Sequence, residues 1–592
     1  MPVVTKTWRL LPHDPDAIGR LAASMNVAPV VAQLLHNRGL REAEAARSFL
    51  DARFDSLRDP SELPGATRAA DLLGQAIRDG EKITIYGDYD ADGITGTAIL
   101  LRCLRLLGAK VEYYLPNRLE EGYGLNAQAL HAIAENGTRW VVTVDCGVAS
   151  TREADVARER GLNLLVTDHH CVSQLALEYW LETGNQPVHP CLQAGDYKPY
   201  PVAAFPHLSG AGVALKLAWL LGQRASGGTK VDTRFRTLLL DAVGLAAIGL
   251  IADVVPLRDE NRVIAKFGAR YLRQSELAGI RAMLAICGLA TGADLRTEDI
   301  AFKIAPRLNA AGRLGCARLV VELLTTDDSA KAEKIAEFLE HQNAERKTIE
   351  NRVVAEARRA AERTPHSTAA ALVLAGDDWH PGVIGIVAGR LTDLFGRPAL
   401  VIARNGEMAV GSGRSIPGFP LHEALCACAE HLLSHGGHAA AAGFRLMPDR
   451  IDAFREQFCE YASGCFPRGP APPELVLDAE LPLSVLTHGL LAAIDRLEPY
   501  GAQNPRPRFL AAELQIVGEP RRVGGGERHL SFYVRQGRTS LRTIAFGMAE
   551  RIEALMADGG QCCLAFTPKI NEWNGSRKVE LEVSDFQAGP RP

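Results

Sequence analysis

Residues 82–93 read KITIYGDYDADG, an apolar run of strand length that ends in three aspartates, Asp88, Asp90 and Asp92. A strand with period two sends alternate side chains to one side, and the loop after it can gather all three carboxylates. Acids this close repel one another unless cations neutralise them. An oxygen-rich site of this kind suits Mg²⁺ or Mn²⁺. The spacing also resembles the start of an EF-hand loop, but the twelfth position, Ile99, supplies no Glu.

Working outward, VEYYLP (111–116), WVVTVDCG (140–147) and LNLLVTDHH (162–170) read as three further strands, with helical stretches such as GTAILLRCLRLLGA (96–109) between them. This βαβ rhythm predicts a parallel sheet. Ligands of such sheets collect beyond the carboxyl ends of the strands. Two of these strands end in Asp145 and in Asp168, His169 and His170. A lone aspartate there is usually a helix cap; three successive strand ends bearing acid or imidazole form a constellation. Imidazole beside carboxylates shifts the preference from Mg²⁺ towards Mn²⁺. Asp253 follows a strongly apolar segment, where burial demands a metal or a cation.

The chain has 592 residues, which predicts several domains, and its net charge of −4 neither marks nor excludes a nucleic-acid binder. Five parts are expected: an N-terminal helical segment (1–75), the strand-rich domain (76–325), a connecting helix (326–365), a second α/β domain (366–468) and a C-terminal β-barrel (469–592). Asp327, Asp328 and Ser329 offer caps for the connecting helix, which is charged on most faces and could reach roughly 50 Å. The N-terminus has no apolar core of signal-peptide length, and Asp241 and Asp253 interrupt the most apolar stretch. Twelve scattered cysteines without a CxxC pair suggest neither structural zinc nor a disulfide framework, so a reduced, cytoplasmic protein without a membrane span is expected. The GxxxxGK[ST] loop of ATP-driven motors is absent.

Cationic and amide donors for phosphate occur in PNRLEEGYG (Arg118), PRLNAAGR (Arg307, Asn309, Arg313), GSGRS (Ser412, Arg414) and GGH (His438). Ser412 and Arg414 read as a Gly-flanked turn. Residues 501–592 carry 13 Lys+Arg against 10 Asp+Glu, interleaved with aromatics. Cations tracking phosphates and rings stacking on bases bind single strands without sequence preference. Phe532 and Phe546 read as barrel core, and Trp573, read as lying in a turn, as the better stacking residue.

GDYDADG, VDCG, TDHH and IADVVPL, in this order, resemble the four motifs of the DHH phosphoesterase superfamily. KIAPRLNAAGRLG, GSGRS and GGHAAAAGF further resemble the RecJ exonucleases and their associated second domain. The resemblance covers roughly residues 80–582. An extra PGFP segment after GSGRS departs from the pattern in a substrate-facing loop, and Cys146 stands where relatives vary.

The resemblance implies two divalent ions, Mn²⁺ or Mg²⁺, bridged by Asp145. Asp90, Asp92, His169 and Asp253 would complete most of the ligand set, with Asp88, Asp168 and His170 as ligands or residues that orient them. It implies in-line hydrolysis of phosphodiesters without a covalent intermediate. Ser412, Arg414 and Arg118 would hold a terminal 5′-phosphate, and the barrel would be an OB-fold. The expected activity is 5′-to-3′ digestion of single-stranded DNA to 5′-mononucleotides in repair and recombination. The enzyme would act as a monomer, without ATP, alongside a helicase and a single-strand-binding protein. A smaller-substrate DHH enzyme would not need the basic, aromatic barrel. A scaffold with a degenerate site would not keep every acid.

Overall fold

The computed structural model describes residues 6–118, 120–190, 205–292, 294–363, 369–437, 439–466, 469–573 and 576–591. The chain divides into two compact units, one of residues 57–255 and 263–473, the other of 6–56, 256–262 and 474–592.

In the first unit, strands Lys82–Gly87, Lys110–Tyr114, Trp140–Val144 and Asn163–Leu165 form a wholly parallel sheet in the spatial order 110–114, 82–87, 140–144, 163–165. Helices Ala91–Leu106, Ala127–Glu135 and Thr151–Glu159 make the crossovers. The central strands are mostly apolar and buried after their first residue, as in a sheet covered on both faces. Helices Gly210–Ser226 and Thr233–Ala252 pack against Ala91–Leu106. The helix Thr233–Ala252 is long and apolar enough to cross a membrane, but 67% of its most apolar window is buried inside the fold. It is a core helix here.

Helix Ser329–Ala361 runs for 33 residues, capped by Asp328, whose carboxylate accepts from the amides of Ala330 and Lys331. The sequence reads as charged on most faces, yet one stripe is buried: Ala332, Ala336 and Leu339 towards the start, Val353, Ala357 and Ala361 towards the end. Alanine at 3–4 spacing makes an apolar seam that bulk hydrophobicity understates. Its second half shares a core with the sheet of the second α/β domain. That sheet has the order Leu372–Asp377, Ala399–Asn405, Met408–Arg414, Ala441–Leu446, Ser434–Gly437; only the first pair is parallel. Ser412 and Arg414 therefore lie on a central strand, not in a turn. Gly411 is required there by close approach, since a Cβ would sit 2.1 Å from the Phe444 ring.

In the second unit, strands Phe509–Val523, His529–Gln536, Thr539–Ala545, Ser576–Ala588 and Gln561–Trp573 pair in that order. The first closes onto the last, giving a five-stranded barrel. The pairing of Thr539–Ala545 with Ser576–Ala588 is parallel, as in an OB-fold. Helices Pro15–Met25, Pro29–Asn37 and Ala43–Leu50 share the barrel's core, with Ile18, Val31 and Leu34 in one cluster with Phe509, Phe532 and Phe566. Residues 6–56 thus go with the barrel and 57–75 with the first unit, whereas the sequence suggested one helical segment.

Candidate metal centre

Each acid is placed by a strand end or a helix end. Asp88 follows the strand 82–87, and its amide donates to the carbonyl of Val144. Asp90 caps helix 91–106, its Oδ1 accepting from the amides of Asp92 and Gly93 at 2.9 and 3.1 Å. Asp92 accepts from the amides of Gly210 and Ala211 at 2.6 and 3.1 Å, at the N-terminus of helix 210–226. Only glycine fits at 210, where a Cβ would lie 2.5 Å from that of Asp145. Asp145 takes up left-handed backbone, φ 66°, immediately after its strand. Asp253 caps the C-terminus of helix 233–252.

These side chains meet. One ligand atom from each of Asp88, Asp90 and Asp145 fits within a 4.8 Å span; the same holds for Asp92, His169 and Asp253, and for Asp145, His169 and His170. Nε2 of His169 lies 3.0 Å from Asp145, 3.5 Å from Asp253 and 3.9 Å from Asp92. Oδ1 of Asp88, Oδ1 of Asp145 and Nε2 of His169 are buried without a hydrogen-bond partner. Buried polar atoms with no partner are costly. Oxygen donors with one imidazole are the set that Mn²⁺ or Mg²⁺ accepts, so the residues fit two such ions.

The electrostatics agree. Burial, then the charge of Asp90, raises Asp92 to about 7; burial, then Asp92 and Asp90, raises Asp253 to about 8. Asp88 and Asp145 are raised well above the usual carboxylate range, first by burial and then by their acidic neighbours. Asp168 differs. Burial works to raise it, but the His170 hydrogen bond at 2.7 Å and both histidine charges hold it low. Its carboxylate also accepts from the amides of Val148, His169 and His170, which fixes the loop carrying the two imidazoles. Burial, then the charge of His170, depresses His169 to about 3, leaving it neutral as a ligand must be. For His170 burial is outweighed by Asp168, and it rises to about 9.

Beside the acids lies a guanidinium group. Burial, then the charges of Arg118, Arg346 and Arg414, lowers Arg313 to about 10, while Asp90 acts the other way. Arg414 is lowered by burial and by Arg118. Arg118 lies 5.1 Å from the centroid of the Tyr89 ring, Arg313 donates to the carbonyl of Gly382, and Arg414 lies 3.4 Å from Ser412 Oγ. Cations gathered in this way would suit an anion. Asn309 accepts from the amide of Ala91 and so holds the acidic loop. Arg307 does not join the group: it pairs with Glu340 and donates to the carbonyl of Lys303. His438 lies outside the described residues.

Tyr123 was not singled out by sequence, yet its hydroxyl donates to the carbonyl of Asp145 and lies 3.0 Å from Nδ1 of His170. Nor was His189, whose Nε2 is 2.8 Å from the carbonyl of His170. Tyr123 stands in the segment read for Arg118, while nothing in NQPVHP points to His189.

On the barrel, Phe509 and Phe532 are core, whereas Tyr533 and Phe546 are half exposed. An open groove of about 1090 Å³ is lined by Tyr533, Arg542, Asn571, Arg577 and Lys578 among others. Trp573 closes the strand Gln561–Trp573 and is not in a turn; its side chain lies outside the described residues.

Three family descriptions match: the DHH family, N-terminal domain, at residues 82–246, the DHHA1 domain at 367–464 and the RecJ OB domain at 477–585. The single-stranded-DNA-specific exonuclease RecJ of Bacillus subtilis (strain 168) is 37% identical over 583 residues, 98% of this chain and 70% of the relative. The crystal structure of RecJ from Thermus thermophilus in complex with Mn²⁺ superposes with TM-score 0.80 at 33% identity, covering 98% of this chain and 79% of that one. The same protein with Mg²⁺ gives 0.76 at 33% identity, covering 98% and 78%. Identity at this level along almost the whole length, with all three domains in order, means that the chain belongs to the RecJ family of single-stranded-DNA-specific exonucleases.

Proposed function

We propose that this protein is a metal-dependent exonuclease that hydrolyses single-stranded DNA from a 5′ end to 5′-mononucleotides, in DNA repair and recombination. The observation that carries this reading is one juxtaposition. Asn309 accepts from the amide of Ala91 beside the acids, Arg313 at the end of the same helix donates to the carbonyl of Gly382, and Gly385, about one turn further along helix Pro381–Phe395, lies against Ser412 and Arg414. A phosphodiester one nucleotide from a bound terminal phosphate would therefore reach the acids.

Asp88, Asp90, Asp92, Asp145, His169 and Asp253 are the residues that would hold two ions, with Asp145 shared. When bound, Mn²⁺ or Mg²⁺ would polarise the phosphodiester, activate the attacking water and stabilise the leaving oxygen. The chain's own residues position everything else. The amides of Gly210 and Ala211 fix the Asp92 carboxylate. Asp168 orients His169 and His170 through the loop amides, and Tyr123 steadies His170 and the Asp145 backbone. Arg118, Arg313, Ser412 and Arg414 bind the terminal phosphate, which excludes a continuing strand and makes attack end-dependent. The barrel groove around Tyr533 and Arg542 binds single-stranded DNA.

The substrate is single-stranded DNA opened by a helicase and covered by a single-strand-binding protein. The enzyme acts as a cytoplasmic monomer without ATP. Digestion of end-labelled single strands with Mn²⁺, Mg²⁺ or chelator tests the reading. Mononucleotides should appear with metal only, and internal cuts or metal-independent cleavage would reject it.

A further inference from the structure

The second α/β domain holds a group of metal-binding side chains that the exonuclease reading leaves unused. His422 and Cys426 stand four positions apart on helix Leu421–Ala427, so they share a face. His435 comes from the strand Ser434–Gly437, the edge of its sheet. One ligand atom from each of the three fits within a 4.8 Å span. Sγ of Cys426 is 3.6 Å from Nδ1 of His422. Ligands at about 2.3 Å for sulfur and about 2.05 Å for nitrogen, at the tetrahedral angle, stand about 3.6 Å apart. Nδ1 of His435 is shielded from solvent and has no hydrogen-bond partner.

We infer that His422, Cys426 and His435 form a second metal site, specific for Zn²⁺ and distinct from the carboxylate centre, with its fourth position open to water. Thiolate and imidazole select zinc over the hard ions that the acids suit, because Mn²⁺ and Mg²⁺ gain little from sulfur. The neighbouring Cys428, which makes a C-x-C pair with Cys426 in the sequence, is not part of it: it is fully buried in the core of the domain. Ligation would join the helix to an edge strand that pairs only with Ala441–Leu446. Gly436 and Gly437 of the GGH motif are the last two residues of that strand.

The test uses the full chain in millimolar Mg²⁺, which keeps hard-ion sites filled. Co²⁺ replaces zinc as the optical probe, and zinc affinity is read by competition with a chromophoric chelator. The wild type should show a sulfur-to-cobalt charge-transfer band and bind one zinc tightly. Cys426→Ser should abolish the band and weaken zinc by about 100-fold, while Mn²⁺-dependent digestion stays at the wild-type rate and so reports intact folding. His422→Ala should weaken zinc similarly. Cys171→Ser is the control, because Cys171 is exposed and adjoins His170 of the other centre; it should leave band and affinity unchanged. A band that survives Cys426→Ser, or disappears in Cys171→Ser, would overturn the assignment, as would zinc affinity that neither Cys426→Ser nor His422→Ala changes.

Discussion

Nε2 of His169 stands 3.0 Å from Oδ1 of Asp145, yet neither atom makes a hydrogen bond. The pair is near enough for one but not aligned for it, as two ligands of one ion would be. Asp145 also meets Asp88 and Asp90, so it is common to the acids on one side and the imidazoles on the other. Its backbone is left-handed, a conformation that Asn tolerates better than Ala. Asp145→Asn and Asp145→Ala should both reduce hydrolysis about 100-fold or more, with Asn preserving the local backbone better. In chelator the Asn variant should melt no lower than wild type, because one repelling carboxylate has gone. Mn²⁺ should raise the melting temperature of the wild type much more than that of the variant. Retention of more than a few per cent of activity would remove Asp145 from the shared position.

The raised acids make a pH prediction for the metal-free protein. Asp92 at about 7 and Asp253 at about 8 keep protons in the folded state that the unfolded chain has already released. His170 at about 9 acts in the same direction. A group raised by folding stabilises below its folded value and loses that contribution as pH rises through it. His169, depressed to about 3, has the opposite sign but acts only below about 6.5. Between pH 6.5 and 8 the metal-free melting temperature should therefore fall. Binding of Mn²⁺ near pH 7 should release protons, and saturation with the ion should flatten the pH dependence. Calorimetry in two buffers of different ionisation heat checks the release. A metal-free melting curve that rises over this window would contradict the arrangement.

A third prediction concerns the barrel. Removing everything after residue 468 would strip the helices of residues 15–50 of their core partners, so truncation tests folding rather than binding. Point changes in the groove are the cleaner probe. Tyr533 and Arg542 are cross-strand partners on the outer face. Tyr533→Ala should weaken binding to long single strands by about 1–3 kcal/mol, with little effect on very short oligonucleotides. Arg542→Ala with Lys578→Ala should also make the salt dependence of affinity shallower. Unchanged affinity and salt slope in both would make the barrel a protein-binding module.

The parallel sheet and its cluster of acids were legible because strand ends deliver residues in sequence order: GDYDADG, VDCG and TDHH each place an acid or imidazole just past a strand. The barrel was legible from strand and turn spacing. What escaped depends on distance in the chain. Gly210 and Ala211 bind Asp92 from 118 and 119 positions away, and no local pattern announces that. Arg307 sits in the same motif as Arg313, but six residues, about one and two-thirds helical turns, send it to Glu340 on another face. The glycines around Ser412 suggested a turn because glycine is common there; the packed Phe444 ring gives the other reason for glycine, and that reason appears only in three dimensions.

The last prediction concerns the end of the strand. Arg414 lies on the second α/β domain and Arg118 on the first, and burial, then the charge of Arg118, lowers Arg414. Gly385 leaves room for Ser412 and Arg414: a Cβ there would lie 3.0 Å from Ser412 Oγ and 3.3 Å from Nη2 of Arg414. A metal centre alone can cut wherever a strand reaches it, so dependence on an end requires that something stop the strand one nucleotide beyond. A terminal phosphate between these guanidiniums would do so, because a dianion would satisfy charges that repel one another without it. Arg414→Ala should slow digestion of 5′-phosphorylated strands most, since charge-assisted bonds to phosphate exceed those to a hydroxyl. Gly385→Ala should do likewise by crowding the site while leaving its charge intact. The measurement is parallel digestion of 5′-phosphate, 5′-hydroxyl and 3′-blocked strands by wild type and both variants. Wild type should prefer the first and ignore a 3′ block, and each variant should narrow the difference between phosphate and hydroxyl. Digestion that a 3′ block stops would reverse the polarity, and equal losses on all three substrates would move Arg414 out of the phosphate site.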